Sequence, residues 1–82
     1  MVKPAKEVNM KYIIKRQSKI NPNLVEVKRT KCTESWCSEG YMKKYPNRVW
    51  QFSKQGAQKI VDRCTRFQGW NFVYWMEEVA AS

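Results

Sequence analysis

The sequence predicts an α+β fold: a small single domain in β-β-loop-β-α-β order, with a three- to four-stranded, largely antiparallel sheet and one main helix on one face. Three observations lead there. Short runs rich in β-branched and aromatic residues mark strands near both ends of the 82 residues, with apolar and polar residues alternating in 24–31. A single stripe with the 3.6-residue period of a helix, Ala57, Ile60, Val61, Cys64 and Phe67, occurs between them. The length allows one small core and no more, and one helix covers only one face of such a sheet.

The first nine residues are polar, contain Pro4 and read as a flexible arm, leaving 10–82 as the domain. Residues 10–17 are the first strand, with Tyr12 and Ile14 on one face and Ile13 on the other. Asn21-Pro22-Asn23 is a turn, because proline fixes its own φ and asparagine tolerates tight backbone. In the second strand, 24–31, Val25 and Val27 point one way and Glu26, Lys28 and Thr30 the other. Residues 32–47 contain Gly40 and Pro46 and read as a loop with one helical turn at most, pinned by Trp36 and Tyr41. A third strand is expected at 48–52, with Trp50 and Phe52 on one face. Ser53 offers an N-cap hydroxyl for a helix running to Phe67, and Gly69 stands where a left-handed C-cap is expected.

The last strand, 71–79, is apolar on both faces. Phe72 and Tyr74 are expected under the helix against Ile60, Val61 and Cys64. Val73 and Trp75 then face away from it, onto a partner or a second copy, unless the 32–47 loop folds back over them.

Charge divides the chain. All 16 Lys and Arg precede Phe67; residues 1–66 hold five acids against them, and the rest of the chain adds only Glu77 and Glu78, for a net +9. Too few acids are present to neutralise the bases, and the repulsion is relieved by a polyanion or an acidic surface. The candidate contact residues are Lys15, Arg16 and Lys19 on the first strand, Lys28, Arg29 and Lys31 on the second, and Lys43, Lys44 and Arg48 before the third. Trp70 and Trp75 join them as aromatics able to stack on a base.

Catalysis is disfavoured. The chain has no His, which removes the commonest general base and the Ser-His-Asp and Cys-His arrangements. Cys32, Cys37 and Cys64 are three thiols at wide spacing without His, short of the four ligands of a structural zinc site. No cofactor and no metal are expected, and the odd cysteine count suits free thiols in a reducing compartment. No apolar run reaches membrane-span length, and a cytoplasmic location is expected.

Two resemblances rest on particular residues. Gly69-Trp70-Asn71-Phe72-Val73-Tyr74-Trp75 resembles the aromatic strand of the RNA-recognition motif, whose rings stack on unpaired bases. It departs from that pattern at Gln68, which replaces a base, and at Asn71, which replaces a small residue. The hairpin opening at Met10-Lys11-Tyr12-Ile13-Ile14-Lys15, then Trp50-Gln51-Phe52-Ser53, a helix and a closing Tyr74-Trp75-Met76-Glu77-Glu78-Val79 are similar in layout to small phage-encoded accessory proteins of the anti-CRISPR and host-takeover type. That resemblance implies a non-enzymatic inhibitor that binds nucleic acid or a nucleoprotein complex, CRISPR effector or polymerase, in the host cytoplasm. The alternatives are an adaptor on an acidic protein surface without nucleic acid, and a small nuclease. A homodimer is compatible with the pattern; a membrane partner is not expected.

Overall fold

A computed structural model of the chain describes residues 11–31 and 35–79; the proposed arm, 1–9, lies outside them. Four strands, β1 (Lys11–Ser18), β2 (Val25–Lys28), β3 (Trp36–Ser38) and β4 (Phe72–Val79), accompany two helices, α1 (Glu39–Lys44) and α2 (Lys54–Gln68). The strands form one sheet in the order β3-β2-β1-β4, and every neighbouring pair is antiparallel. The α+β class, the four-stranded sheet and the single main helix are as the sequence predicts.

The third strand is not where the sequence placed it. Pro46 starts a 3-10 turn, Pro46–Arg48, because its fixed φ favours a turn and it has no N–H to give a ladder. Residues 48–52 therefore form no ladder with the sheet beyond a Tyr12↔Phe52 bridge, closed by two backbone hydrogen bonds of 2.8 Å. The strand comes instead from the region read as a loop, where Trp36 and Cys37 pair with Lys28 and Val27. Three residues are too short a run for alternation to announce.

The β1–β2 turn is built by side chains, as Asn-Pro-Asn suggested. The Ser18 hydroxyl accepts from the Ile20 and Asn21 N–H groups, and the Asn21 carbonyl accepts from Leu24 N–H at 2.9 Å. β1 and β4 then pair along their whole lengths, from Lys11↔Val79 to Ser18↔Phe72. Directly opposed residues share a face, so Tyr12, Ile14 and Arg16 lie with Met76 and Tyr74 on one side. Ile13 and Lys15 lie with Glu77 and Trp75 on the other.

α2 covers the first side. Its N-cap is Ser53, whose hydroxyl accepts from Gly56 N–H at 3.1 Å. Ala57 and Ile14 are fully buried there with Phe52, and Tyr12, Trp36, Ile60, Val61 and Met76 close around them. Ile60 and Val61 thus pack on the cluster of Ile14, Phe52 and Ala57, which does not include Phe72 or Tyr74, the residues expected beneath the stripe. Phe72 lies further along β4, and Tyr74 is tied to the end of the helix by a 2.8 Å bond from its hydroxyl to Gln68 Oε1. Phe67 closes the stripe in sequence yet stays 69% exposed, one turn before the chain reverses into β4. Gly69 is right-handed, with φ −65°. Its role is close approach, since a Cβ there would collide with the Thr65 carbonyl.

A second core lies on the opposite side. Ile13, Val27 and Val49 are buried, with Cys37, Met42 and Val79 against them. The 32–47 region does fold back over this face, through Met42 of α1, but incompletely: Val73 remains 47% exposed.

Candidate nucleic-acid interface

The predicted contact residues separate into two groups when placed on this frame. Three are turned into the sheet. Lys15 is buried and its ammonium bridges Glu39 at 2.8 Å and Glu77 at 2.9 Å. Burial opposes the Lys15 charge, but the hydrogen bonds it donates to both carboxylates, helped by their charges, outweigh it and raise the Lys15 pKa. The same contact, after a hydrogen bond from the Trp75 indole, lowers the pKa of Glu77 against the opposing effect of burial. Arg16 donates to Glu26 at 2.8 Å from Nε and Nη2, and its guanidinium lies between the rings of Trp36 and Phe72, 4.3 and 4.2 Å from their centroids. Lys28 is 2% exposed, with its ammonium 5.1 Å from the Trp36 ring. These residues hold strands together and are not available to a phosphate.

The second group faces outward and is drawn together by α1. Ser38 caps that helix, accepting from Tyr41 N–H at 3.1 Å, and Lys43 and Lys44 occupy its last turn, where the helix dipole favours a base. Tyr41 and Tyr45, four residues apart, pack with centroids 5.0 Å apart and rings tilted by 51°. The Arg29 guanidinium sits 5.4 Å from the Tyr41 ring. Arg48 and Lys44 lie 5.0 and 5.6 Å from Tyr45, and Lys31 is 5.0 Å from Trp50. A hydrogen bond from Trp50 N–H to the Arg29 carbonyl fixes the two segments side by side at 3.0 Å. Among the described residues none of Arg29, Lys31, Lys43, Lys44 or Arg48 is paired with a carboxylate. A cation resting on an exposed ring is held by about 0.5–1 kcal/mol, weak enough to be exchanged for a phosphate.

Trp70 is 78% exposed but sits away from this cluster, in the turn before β4. Lys19 is beside it, donating its N–H to the Asn71 carbonyl at 3.0 Å. Ile20, Leu24, Phe67 and Val73 are also exposed and belong to this same end, where the β1–β2 turn meets the α2–β4 turn. Trp75 is half-buried on the side away from α2, with its indole on Glu77. The strand that resembles an RNA-recognition motif is therefore separated from the outward bases.

The aromatic partners Tyr41, Tyr45 and Trp50 were not among the residues expected to make contact. Their signal lay in the interleaving of Lys43, Lys44, Tyr45, Arg48 and Trp50, which places a ring beside almost every base. Between the two groups, Cys37 is a free, half-buried thiol; burial raises its pKa, with Arg29 opposing and Glu26 adding. Among the described residues no group of three or more His, Cys, Asp or Glu could hold a metal ion, and no helix is long and apolar enough to cross a membrane. Comparison with protein-family models, with curated proteins and with solved structures finds no match.

Proposed function

We propose that this chain is a non-enzymatic binding protein that takes single-stranded nucleic acid on the surface formed by Arg29, Lys31, Lys43, Lys44 and Arg48 with Tyr41, Tyr45 and Trp50. The observation that carries this reading is that Arg29, Lys31, Lys44 and Arg48 rest on aromatic rings and, among the described residues, not on carboxylates. A phosphate drawn to such a base frees the ring beneath it for a base to stack on, and stacking is tolerant of sequence. The chemistry supports binding with little sequence preference and strong salt dependence. A protein of this kind antagonises a nucleoprotein complex by occupying the strand that the complex needs, the phage-encoded mode that the layout of the chain resembles.

The test is fluorescence anisotropy with labelled single-stranded and duplex oligonucleotides at low ionic strength. Single strands are expected to bind more tightly than duplex. Charge reversal at Arg29, Lys44 and Arg48 is expected to abolish the signal without lowering the melting temperature. If no oligonucleotide binds in a salt-sensitive way, the reading fails, and an acidic protein surface becomes the partner to seek.

A further inference from the structure

β4 ends the sheet, and among the described residues nothing pairs with its outer side. Which of its backbone groups point outward follows from the hydrogen bonds of β1. Tyr12 exchanges both its bonds with Phe52, and Ser18 N–H donates to the Leu24 carbonyl, both on the β2 side. Lys19 N–H donates to Asn71 on the β4 side. A strand residue directs its N–H and C=O to the same side, and sides alternate along the chain. The odd-numbered residues of β1 therefore bond to β4, and in the register Ile13↔Glu77, Lys15↔Trp75 and Gln17↔Val73 their odd-numbered partners point inward. Phe72, Tyr74, Met76 and Glu78 are left with outward N–H and C=O groups.

An open edge eight residues long is a template for another strand unless it is protected by charges, Lys above all, by a Pro or by a bulge. β4 has no Lys or Pro, its charges are confined to Glu77 and Glu78, and its register with β1 runs without interruption. We propose that two copies of this chain join antiparallel through β4, with the two-fold axis at Trp75, to make one continuous eight-stranded sheet.

The choice of occupant rests on charge and on register. Each copy carries a net +9, but β4 itself has no base, so pairing through it sets no base of one edge strand opposite a base of the other. Centring on Trp75 is the register that pairs every outward residue: Phe72 with Glu78 and Tyr74 with Met76, in both directions. It sets Glu77 opposite Val73, so no like charges oppose. It also places the two Trp75 side chains directly opposite in a non-hydrogen-bonded pair, the closer of the two cross-strand arrangements. α2 packs on β1 and β4 and not on β2, so with strands about 4.8 Å apart the two copies of α2 would lie roughly 10 Å apart, an ordinary helix-packing distance.

This inference is independent of nucleic-acid binding and is tested without it. Sedimentation equilibrium on the full chain is combined with amide hydrogen exchange across a range of protein concentrations. The expected result is a dimer in which the Tyr74, Met76 and Glu78 amides gain protection as the dimer fills, while those of Val73, Trp75 and Glu77 are protected throughout. Glu78→Pro removes an outward donor from an exposed position, and it is expected to weaken dimerisation on the order of tenfold with the melting profile of the dilute chain preserved. A chain that stays monomeric at every concentration overturns the proposal. So does a dimer whose even-numbered amides remain unprotected, which would place the contact at the Ile20 and Trp70 end. Protection of those amides in dilute monomer overturns it as well, because the edge would then be filled from within the chain.

Discussion

The segment 29–50 and strand β4 are both rich in aromatic residues, but the two regions use them in opposite ways. In 29–50 the rings of Tyr41, Tyr45 and Trp50 lie under bases that have no carboxylate partner among the described residues. In β4 the rings serve the sheet: Tyr74 packs on Trp36 and Phe72 at 5.9 and 6.0 Å, and the Trp75 indole donates to Glu77 at 3.0 Å. The difference follows from where acids are placed. Glu39, Glu77 and Glu26 are spent on Lys15 and Arg16, and among the described residues no acid pairs with the bases around α1. Aromatic content by itself therefore does not mark a binding surface; its pairing with unneutralised charge does.

The strongest way to break this arrangement is through the two cores that hold the regions in place. Ile14 is fully buried under α2 and Val27 under the α1 side. Ile14→Ala is expected to cost about 2–5 kcal/mol and Val27→Ala less, because valine leaves the smaller cavity. Urea unfolding followed by circular dichroism checks both, and a Val27 loss exceeding that of Ile14 would reverse the assigned weight of the cores.

Next come the exposed rings. Trp50→Ala and Tyr45→Ala are each expected to weaken binding of a single-stranded oligonucleotide by about 1–3 kcal/mol, the cost of one lost stack, with the melting temperature nearly unchanged. Trp75→Ala is expected to leave that affinity alone. Anisotropy titrations of the three variants decide whether the rings of 29–50 or those of β4 meet the ligand.

A smaller effect belongs to single bases. Arg48→Gln and Lys44→Gln are each expected to flatten the slope of log affinity against log salt by about 0.7, the contribution of one single-strand phosphate contact. Arg16→Gln should leave the slope unchanged, since that guanidinium is already held by Glu26 and two rings. It should lower stability instead.

The smallest effect is on pH dependence. Glu77 has its pKa lowered from 4.5, so the stability it contributes is present above that value and is lost as pH falls through the lower folded-state pKa. Lys15 has its pKa raised from 10.5, so its contribution is present below that value and is lost as pH rises through the higher folded-state pKa. Glu77→Gln is expected to flatten the acid limb of a melting-temperature profile slightly, because the Glu77 side chain is 44% exposed and water screens the pair. An unchanged acid limb would remove Glu77 from the account of stability.

How much of this was legible in the sequence depended on whether a pattern was long enough to repeat. β1, β4 and α2 announce themselves over eight, eight and fifteen residues, and the helical stripe held from Ala57 to Val61 but not at Phe67, which stays exposed. β3 is three residues long and carries no period; its pairing with β2 is a tertiary event. The site was half legible. Composition pointed to the bases, but which of them are neutralised depends on partners distant in sequence, such as Glu39 for Lys15 and Trp36 for Arg16. Lys28 and Arg29 are adjacent and yet differ: Lys28 is the last residue of β2 and is buried, while Arg29 lies just past the strand and is exposed.

The measurement that tests the central claim most directly is an amide chemical-shift map of the isotope-labelled chain at low salt, as an unlabelled single-stranded oligonucleotide is added. Shifts confined to Arg29, Lys31, Tyr41, Lys44, Tyr45, Arg48 and Trp50, reversed by added salt, are the predicted result. Shifts centred on Val73, Trp75 and Glu77 with the 29–50 segment silent would contradict it, and would move the binding surface to the strand that carries no base.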